Sequence, residues 1–126
     1  MDIKTAPKKR ILCVEDEHNS SEFLIYLLSD YEMIFSQDKD SALNLLISEK
    51  FDLCLLDYSI TEGEGVILCR QIKALDSNIP IIFTSGIWQK EEIQKVIEAG
   101  ATKYLIKPYS IENLQQIIKE LIEKEG

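Results

Sequence analysis

A chain of 126 residues can close one hydrophobic core and is too short for two. Apolar residues make up 45% of it and charged residues 29%, the balance of an ordinary globular domain. With 22 acidic against 14 basic side chains and a net charge of −8, it lacks the clustered Lys and Arg that neutralising nucleic-acid phosphates requires, so direct nucleic-acid binding is not expected.

Residues 1–9 read as a lead-in and 10–126 as a single domain. Met1 to Pro7 has no apolar stretch of the secretory kind, and no apolar run approaches the roughly 20 residues of a membrane span, so a cytoplasmic location is expected. The basic run Lys8-Lys9-Arg10 reads as a solvated entry to the first strand, Ile11-Leu12-Cys13-Val14. Asn19 then caps a helix with Glu22 three residues on and Phe23, Leu24, Leu27 and Leu28 along one face. Met33-Ile34-Phe35 is a weaker strand. Asp38 or Asp40 opens a helix bearing Ala42, Leu43, Leu45, Leu46 and Ile47. Leu53-Cys54-Leu55-Leu56 is the next strand, followed by a helix from about Gly65 to Leu75. Ile79 to Phe83 forms a strand, and a helix carrying Ile93, Val96 and Ile97 stops at Gly100 in a left-handed conformation. Tyr104-Leu105-Ile106 is the last strand, and Ser110 caps the last helix, with Ile111, Leu114, Ile117, Ile118, Leu121 and Ile122. That stripe is wider than one narrow seam needs, leaving part of it for a partner or a second copy of the chain.

The stronger strands are unbroken apolar runs rather than alternating ones, so both faces of each should be covered. Five strands alternating with five helices predict an α/β fold: a five-stranded parallel sheet, doubly wound in the flavodoxin-like (βα)5 manner, as a three-layer sandwich. Cys13, Cys54 and Cys69 are odd in number, have no metal-ligand spacing and lie in apolar surroundings, which suits buried free thiols in a reducing compartment.

In open α/β sheets, sites gather beyond the carboxyl ends of the strands, where strand order reverses. The polar residues fall there. Glu15, Asp16 and Glu17 follow the first strand, Asp57 the third, Thr84 and Ser85 the fourth, and Lys107-Pro108 the fifth. Carboxylates gathered from separate strand ends repel one another unless a cation is shared, and hard oxygen ligands with room for water suit Mg²⁺. Lys107 would complete the charge balance, and a Thr hydroxyl beside a Lys can stabilise a multiply charged oxyanion. Asp57, on a rigid strand end, is the natural nucleophile, since an aspartate can accept a phosphoryl group as an acyl phosphate. Glu17 and Glu64 read as solvated loop or capping carboxylates.

Taken in register, Val14-Glu15-Asp16-Glu17, Leu55-Leu56-Asp57, Phe83-Thr84-Ser85 and Tyr104-Leu105-Ile106-Lys107-Pro108 resemble a response-regulator receiver domain, from Arg10 to the last helix. The resemblance implies Asp57 as phosphoacceptor in a two-component phosphorelay. It implies Mg²⁺ held by Asp16, Asp57 and the Ser59 carbonyl, with Glu15 acting through water. Thr84 and Lys107 would bond phosphoryl oxygens, and Tyr104 would turn inward when Thr84 follows the phosphate, although a plain packing role also suits it. A cis Lys107-Pro108 bond is implied. So are a sensor histidine kinase or histidine phosphotransfer protein as donor and a downstream effector or output domain as reader. The reading surface would be formed by the last two helices and the last strand, with a phosphorylation-dependent homodimer as one outcome. Trp88 would serve as a partner contact or cap the core. Ile60-Thr61 stands where receivers often carry Met-Pro, and Gly63-Glu64-Gly65 where many carry Met-Asp-Gly, which should loosen the loop after Asp57. Ser59 and Gly86, both small, predict an unshielded phosphate that is not especially long-lived.

Such a domain is a binding module, not an enzyme acting on outside substrates. The closest chemical rival is a haloacid-dehalogenase-like phosphatase, which wants its nucleophile after the first strand and a second Asp two residues on; here the position is Ser59. A degenerate receiver that only docks partners is a further alternative. A flavin-binding version of the architecture is disfavoured by the acidic residues after the first strand, where a flavin phosphate needs a hydroxyl- and glycine-rich loop.

Overall fold

The computed structural model describes residues 7–15, 28–57 and 62–123 of the chain. Five strands form one parallel sheet: β1 (Arg10–Glu15), β2 (Glu32–Ser36), β3 (Leu53–Asp57), β4 (Ile81–Ser85) and β5 (Lys103–Ile106), in the order β2-β1-β3-β4-β5. Four helices are described: α1 (Lys39–Ser48), α2 (Glu62–Leu75), α3 (Lys90–Glu98) and α4 (Ile111–Glu123). The helix expected to open at Asn19 lies outside the described residues, apart from Leu28. None of the described helices is long and apolar enough to cross a membrane.

Both faces of the sheet are covered, as the unbroken apolar runs require. One face presents Leu12, Val14, Cys54, Leu56, Ile81 and Phe83 to a layer containing Ala42 of α1, Leu68, Cys69 and Ile72 of α2, and Val96 of α3. The other presents Ile11, Cys13, Leu53, Leu55, Ile82 and Leu105 to Leu114, Ile118 and Ile122 of α4. The central strands β1, β3 and β4 are buried along nearly their whole length, whereas β2 and β5, at the sheet edges, are only partly covered. The three cysteines are free and buried.

Local chemistry explains the helix ends. Asp38 is the N-cap of α1, its Oδ1 accepting the Ser41 amide at 2.8 Å. Ser110 Oγ accepts the Asn113 amide at 3.0 Å in the first turn of α4. Gly100, at φ 122°, ends the turn after α3, a conformation that side chains rarely adopt.

Several expectations need correction. The fourth strand is Ile81–Ser85, not Ile79 to Phe83, so Thr84 and Ser85 lie inside the strand rather than after it. Pro80 has no amide to give to a ladder, and Ile79 instead closes a turn through its amide to the Asp76 carbonyl. α2 starts at Glu62, three residues before Gly65, so Gly63 belongs to the first helical turn and not to a loop. Arg10 is not a solvated lead-in. Its guanidinium lies 4.7 Å from the Phe51 ring centre, pairs with Glu49 and Glu32, and bonds the Lys50 carbonyl at 2.9 Å, fastening the start of β1 to the chain entering β3. On α4, Leu114, Ile118 and Ile122 are buried and Ile117 and Leu121 pack against the same core, so the wide stripe is mostly core contact.

Candidate phosphoacceptor site

Strand alternation decides which face each strand end presents. Glu15 continues the Ile11–Cys13 side of β1, Asp57 the Leu53–Leu55 side of β3, and Thr84 the Ile82 side of β4. Lys107 continues the Leu105 side just past the end of β5. All four therefore face the α4 side of the sheet. Register aligns them: Glu15 and Thr84 are both ladder partners of Asp57. β1 and β3 are also where the connections change direction, the switch point of this strand order.

The side chains converge on one carboxylate. Thr84 Oγ1 donates to Asp57 Oδ1 at 3.0 Å, and the Lys107 ammonium forms an ion pair with the same oxygen. The Lys107 amide bonds the Ser85 carbonyl at 2.8 Å, extending the β4–β5 pairing to this residue, and the Lys107-Pro108 peptide is cis. Thr84 is 0% exposed, Glu15 4% and Asp57 7%, so two carboxylates and the Thr84 hydroxyl lie in a poorly hydrated corner, with the Lys107 side chain, 34% exposed, at its edge.

The charge there is felt by its neighbours. Tyr109, half-buried on the same face, has its phenol pushed up to about 12, first by burial and then by the negative charge of Asp57, with a smaller contribution from Glu15. Burial, followed by Glu15 and Asp57, pushes the Cys13 thiol well above its ordinary value.

Asp16 and Ser59 lie outside the described residues, as do Glu17 and the stretch carrying Ile60-Thr61. Glu64 is exposed, as a solvated carboxylate should be. Gly86 is exposed, and a Cβ there would meet nothing within 4 Å. Trp88 is 67% exposed and does not cap the core. Tyr104 is partly buried. Its ring stacks on Phe83 with centroids 5.6 Å apart, and its hydroxyl donates to the Ile87 carbonyl at 2.8 Å. Sequence reasoning missed Tyr109 and Phe83. Tyr109 could have been suspected from its place two residues after Lys107; the Phe83 contacts depend on pairing across the sheet, which no local pattern displays.

The family model of the response regulator receiver domain matches residues 11–119. The chain belongs to that family. The transcriptional regulatory protein RprY of Bacteroides fragilis is 30% identical over 119 residues, which is 93% of this chain and 50% of that protein. The chain spans about half the length of the curated relatives it matches. The CheY-like receiver domain protein of Methanospirillum hungatei superposes with a TM-score of 0.84 at 28% identity, covering 94% of this chain and 99% of the other. The receiver domain of the sensor histidine kinase PA1611 of Pseudomonas aeruginosa shares the fold, with a TM-score of 0.80 at 24% identity over 94% of this chain and 99% of that one. That receiver holds a magnesium ion in its active-site cleft. A receiver domain is the signalling module of two-component response regulators, and this chain has that fold and that membership.

Proposed function

We propose that this receiver takes a phosphoryl group onto Asp57 from a phosphohistidine donor and that the resulting change of shape is read by a partner. The observation that carries the reading is the convergence of Thr84 and Lys107 on Oδ1 of a buried Asp57 at the switch point of the sheet. Both contacts fall on Oδ1, which leaves Oδ2 to attack phosphorus. The new bond is Oδ2–P, the broken bond is N–P of the donor imidazole, and the imidazole leaves with its electron pair and takes a proton. Lys107 and Thr84 then turn to the phosphoryl oxygens, supplying a positive charge and a hydrogen bond where negative charge accumulates.

Buried Glu15 and Asp57, adjacent in register, with the Lys107 ammonium paired to Asp57, suit a hard divalent cation. Mg²⁺ would be held by Asp57, Asp16 and the Ser59 carbonyl, with Glu15 through water, and would neutralise charge on the phosphoryl oxygens. The donor is a sensor histidine kinase or a phosphotransfer protein, and the location cytoplasmic. The reader is an effector, an output domain or a second copy, meeting the surface of α3, β5 and α4, where Ile97 and Ile106 are exposed. The open space at Gly86 supports an unshielded acyl phosphate whose lifetime is not especially long.

Incubation with Mg²⁺ and phosphoramidate or acetyl phosphate should place a hydroxylamine-labile label on the chain that vanishes in Asp57→Asn. A folded protein that takes up no label, or an Asp57→Asn variant labelled as well as the parent, rules the acceptor out and leaves a docking-only receiver.

A further inference from the structure

Phe51, Asp52, Asp76 and Ile79 stand together at the amino rim of the sheet, at the opposite end of β3 from Asp57, and line two adjoining hollows. One hollow, of about 370 Å³, extends past Pro80 to Leu121 near the end of α4, with Lys9 on its wall. The other, of about 440 Å³, extends to Leu46 of α1 and to Leu75 at the end of α2, with Glu49 and Lys50 on its wall. Phe51 and Ile79 are buried and form the shared floor, whereas Leu75 is 48% exposed.

The two carboxylates on the shared wall are fixed in place and only half used. Asp52 Oδ2 accepts the Arg10 amide at 2.8 Å, and Asp76 Oδ1 accepts the Asn78 amide at 3.0 Å. Backbone amides leave the carboxylate charge in place, and among the described residues the second oxygen of each Asp has no hydrogen-bond or ion-pair partner. Glu49 is already paired with Arg10. Lys9 and Lys50 each line one hollow and not the other, so they flank the pair of carboxylates. α1 and α2 also end here, adding the partial negative charge of two helix carboxyl ends. Charge along the two hollows is therefore negative at the centre and positive at both flanks.

The geometry points to a docking site for a segment of a partner protein that carries one Lys or Arg between two apolar side chains. The apolar pair fills the hollows, and the basic stem lies over Phe51 and Ile79 with its charged head between Asp52 and Asp76. Other occupants suit the charge pattern less well. Nucleic acid brings further negative charge, a second copy of this chain, at net −8, brings the same acidic centre, and a uniformly basic segment meets Lys9 and Lys50. The 5 residues of β3, about 16 Å of strand, separate this rim from Asp57, so docking here leaves the acceptor free and does not depend on the acceptor assignment.

Amide NMR spectra of the full chain should be recorded during titration with two synthetic peptides. One carries the extended pattern Leu-Ser-Lys-Ser-Leu and the other the helical spacing Leu-Ala-Ala-Lys-Ala-Ala-Leu, each beside a counterpart with Glu for Lys. At least one Lys peptide should shift the amides of Phe51, Asp52, Asp76 and Ile79 and leave those of Asp57, Thr84 and Lys107 in place, and the Glu peptides should shift none of them. Asp76→Asn, which can keep the bond to the Asn78 amide while losing the charge, should weaken binding about two- to fivefold, and Leu75→Lys by at least as much. If a variant does not fold, the contrast between Lys and Glu peptides on the parent decides alone. The proposal is overturned if neither Lys peptide moves the rim amides, if the Glu peptides move them equally, or if folded variants bind as the parent does. Rim shifts that grow with protein concentration in the absence of peptide also overturn it, in favour of a second copy.

Discussion

Thr84 and Asp57 are direct partners in the β3–β4 ladder, and the hydroxyl of the first donates to Oδ1 of the second at 3.0 Å in a region closed to solvent. A hydrogen bond to a buried charged group contributes about 1.5–3 kcal/mol. Thr84→Ala should therefore lower unfolding stability by about that amount in urea titrations, and Thr84→Ser should recover most of the loss. A Thr84→Ala protein as stable as the parent would show that the bond contributes nothing in solution.

Glu15 and Asp57 are two buried carboxylates on neighbouring strand ends, and among the described residues Lys107 supplies the ammonium paired with Asp57, so a divalent cation should stabilise the native state and not the unfolded chain. At a Mg²⁺ concentration ten times its dissociation constant the gain is about 1.4 kcal/mol. The denaturation midpoint should rise with Mg²⁺, fall back with chelator, and stay put in Asp57→Asn. An equal rise in that variant would place the ion elsewhere.

Alkaline pH should weaken the fold through the thiols. Burial pushes Cys54 and Cys69 up to about 12 from an ordinary value of 9.0, and Cys13 well above it. Between those values the native state keeps protons that the unfolded chain has lost, so the stabilisation is complete below pH 9 and drains away as pH rises through the folded values. Each pH unit in that window costs about 1.4 kcal/mol per thiol. Urea midpoints should be flat from pH 7 to 8.5 and fall steeply by pH 10.5, and thiol reagents should react only with unfolded protein. Rapid labelling of the native protein at pH 8 contradicts this.

Gly100 combines a φ of 122° with a crowded surrounding, since a Cβ there would lie 2.6 Å from Lys73 Cγ. Lys73 has little room to retreat, because its ammonium bonds the Ile79 carbonyl at 2.5 Å and the Ser77 carbonyl at 3.3 Å. Gly100→Ala should lose about 1–3 kcal/mol of stability in urea titrations while leaving the Asp57 label unchanged. A neutral substitution would mean that the turn after α3 relaxes freely.

Much of this molecule was readable before any coordinates. Unbroken apolar runs such as Leu53 to Leu56 announce strands covered on both faces, and capping by Asp38 and Ser110 and the stop at Gly100 follow from side-chain and backbone chemistry within a few residues. Asp57, Thr84 and Lys107 were legible because strand ends on one rim of a parallel sheet must come together. The start of β4 was not, because Ile79 is apolar for packing reasons while Pro80 withholds the amide that pairing needs. Arg10 was misread because its partners, Phe51, Glu49 and Glu32, are distant in sequence. The seat of Phe83 against Gly65 and Tyr104 has the same origin.

The two sides of β4 are assigned different tasks. Thr84 looks toward the acidic corner and Phe83, its immediate neighbour, looks away from it toward Tyr104. The two side chains share one short length of backbone, so a single peptide unit joins the hydroxyl at Asp57 to the ring stacked on Tyr104. The groups gathered at Asp57 and the stacked rings are separated by the thickness of a single sheet, so a side chain on one face can be exchanged without altering the contacts made on the other.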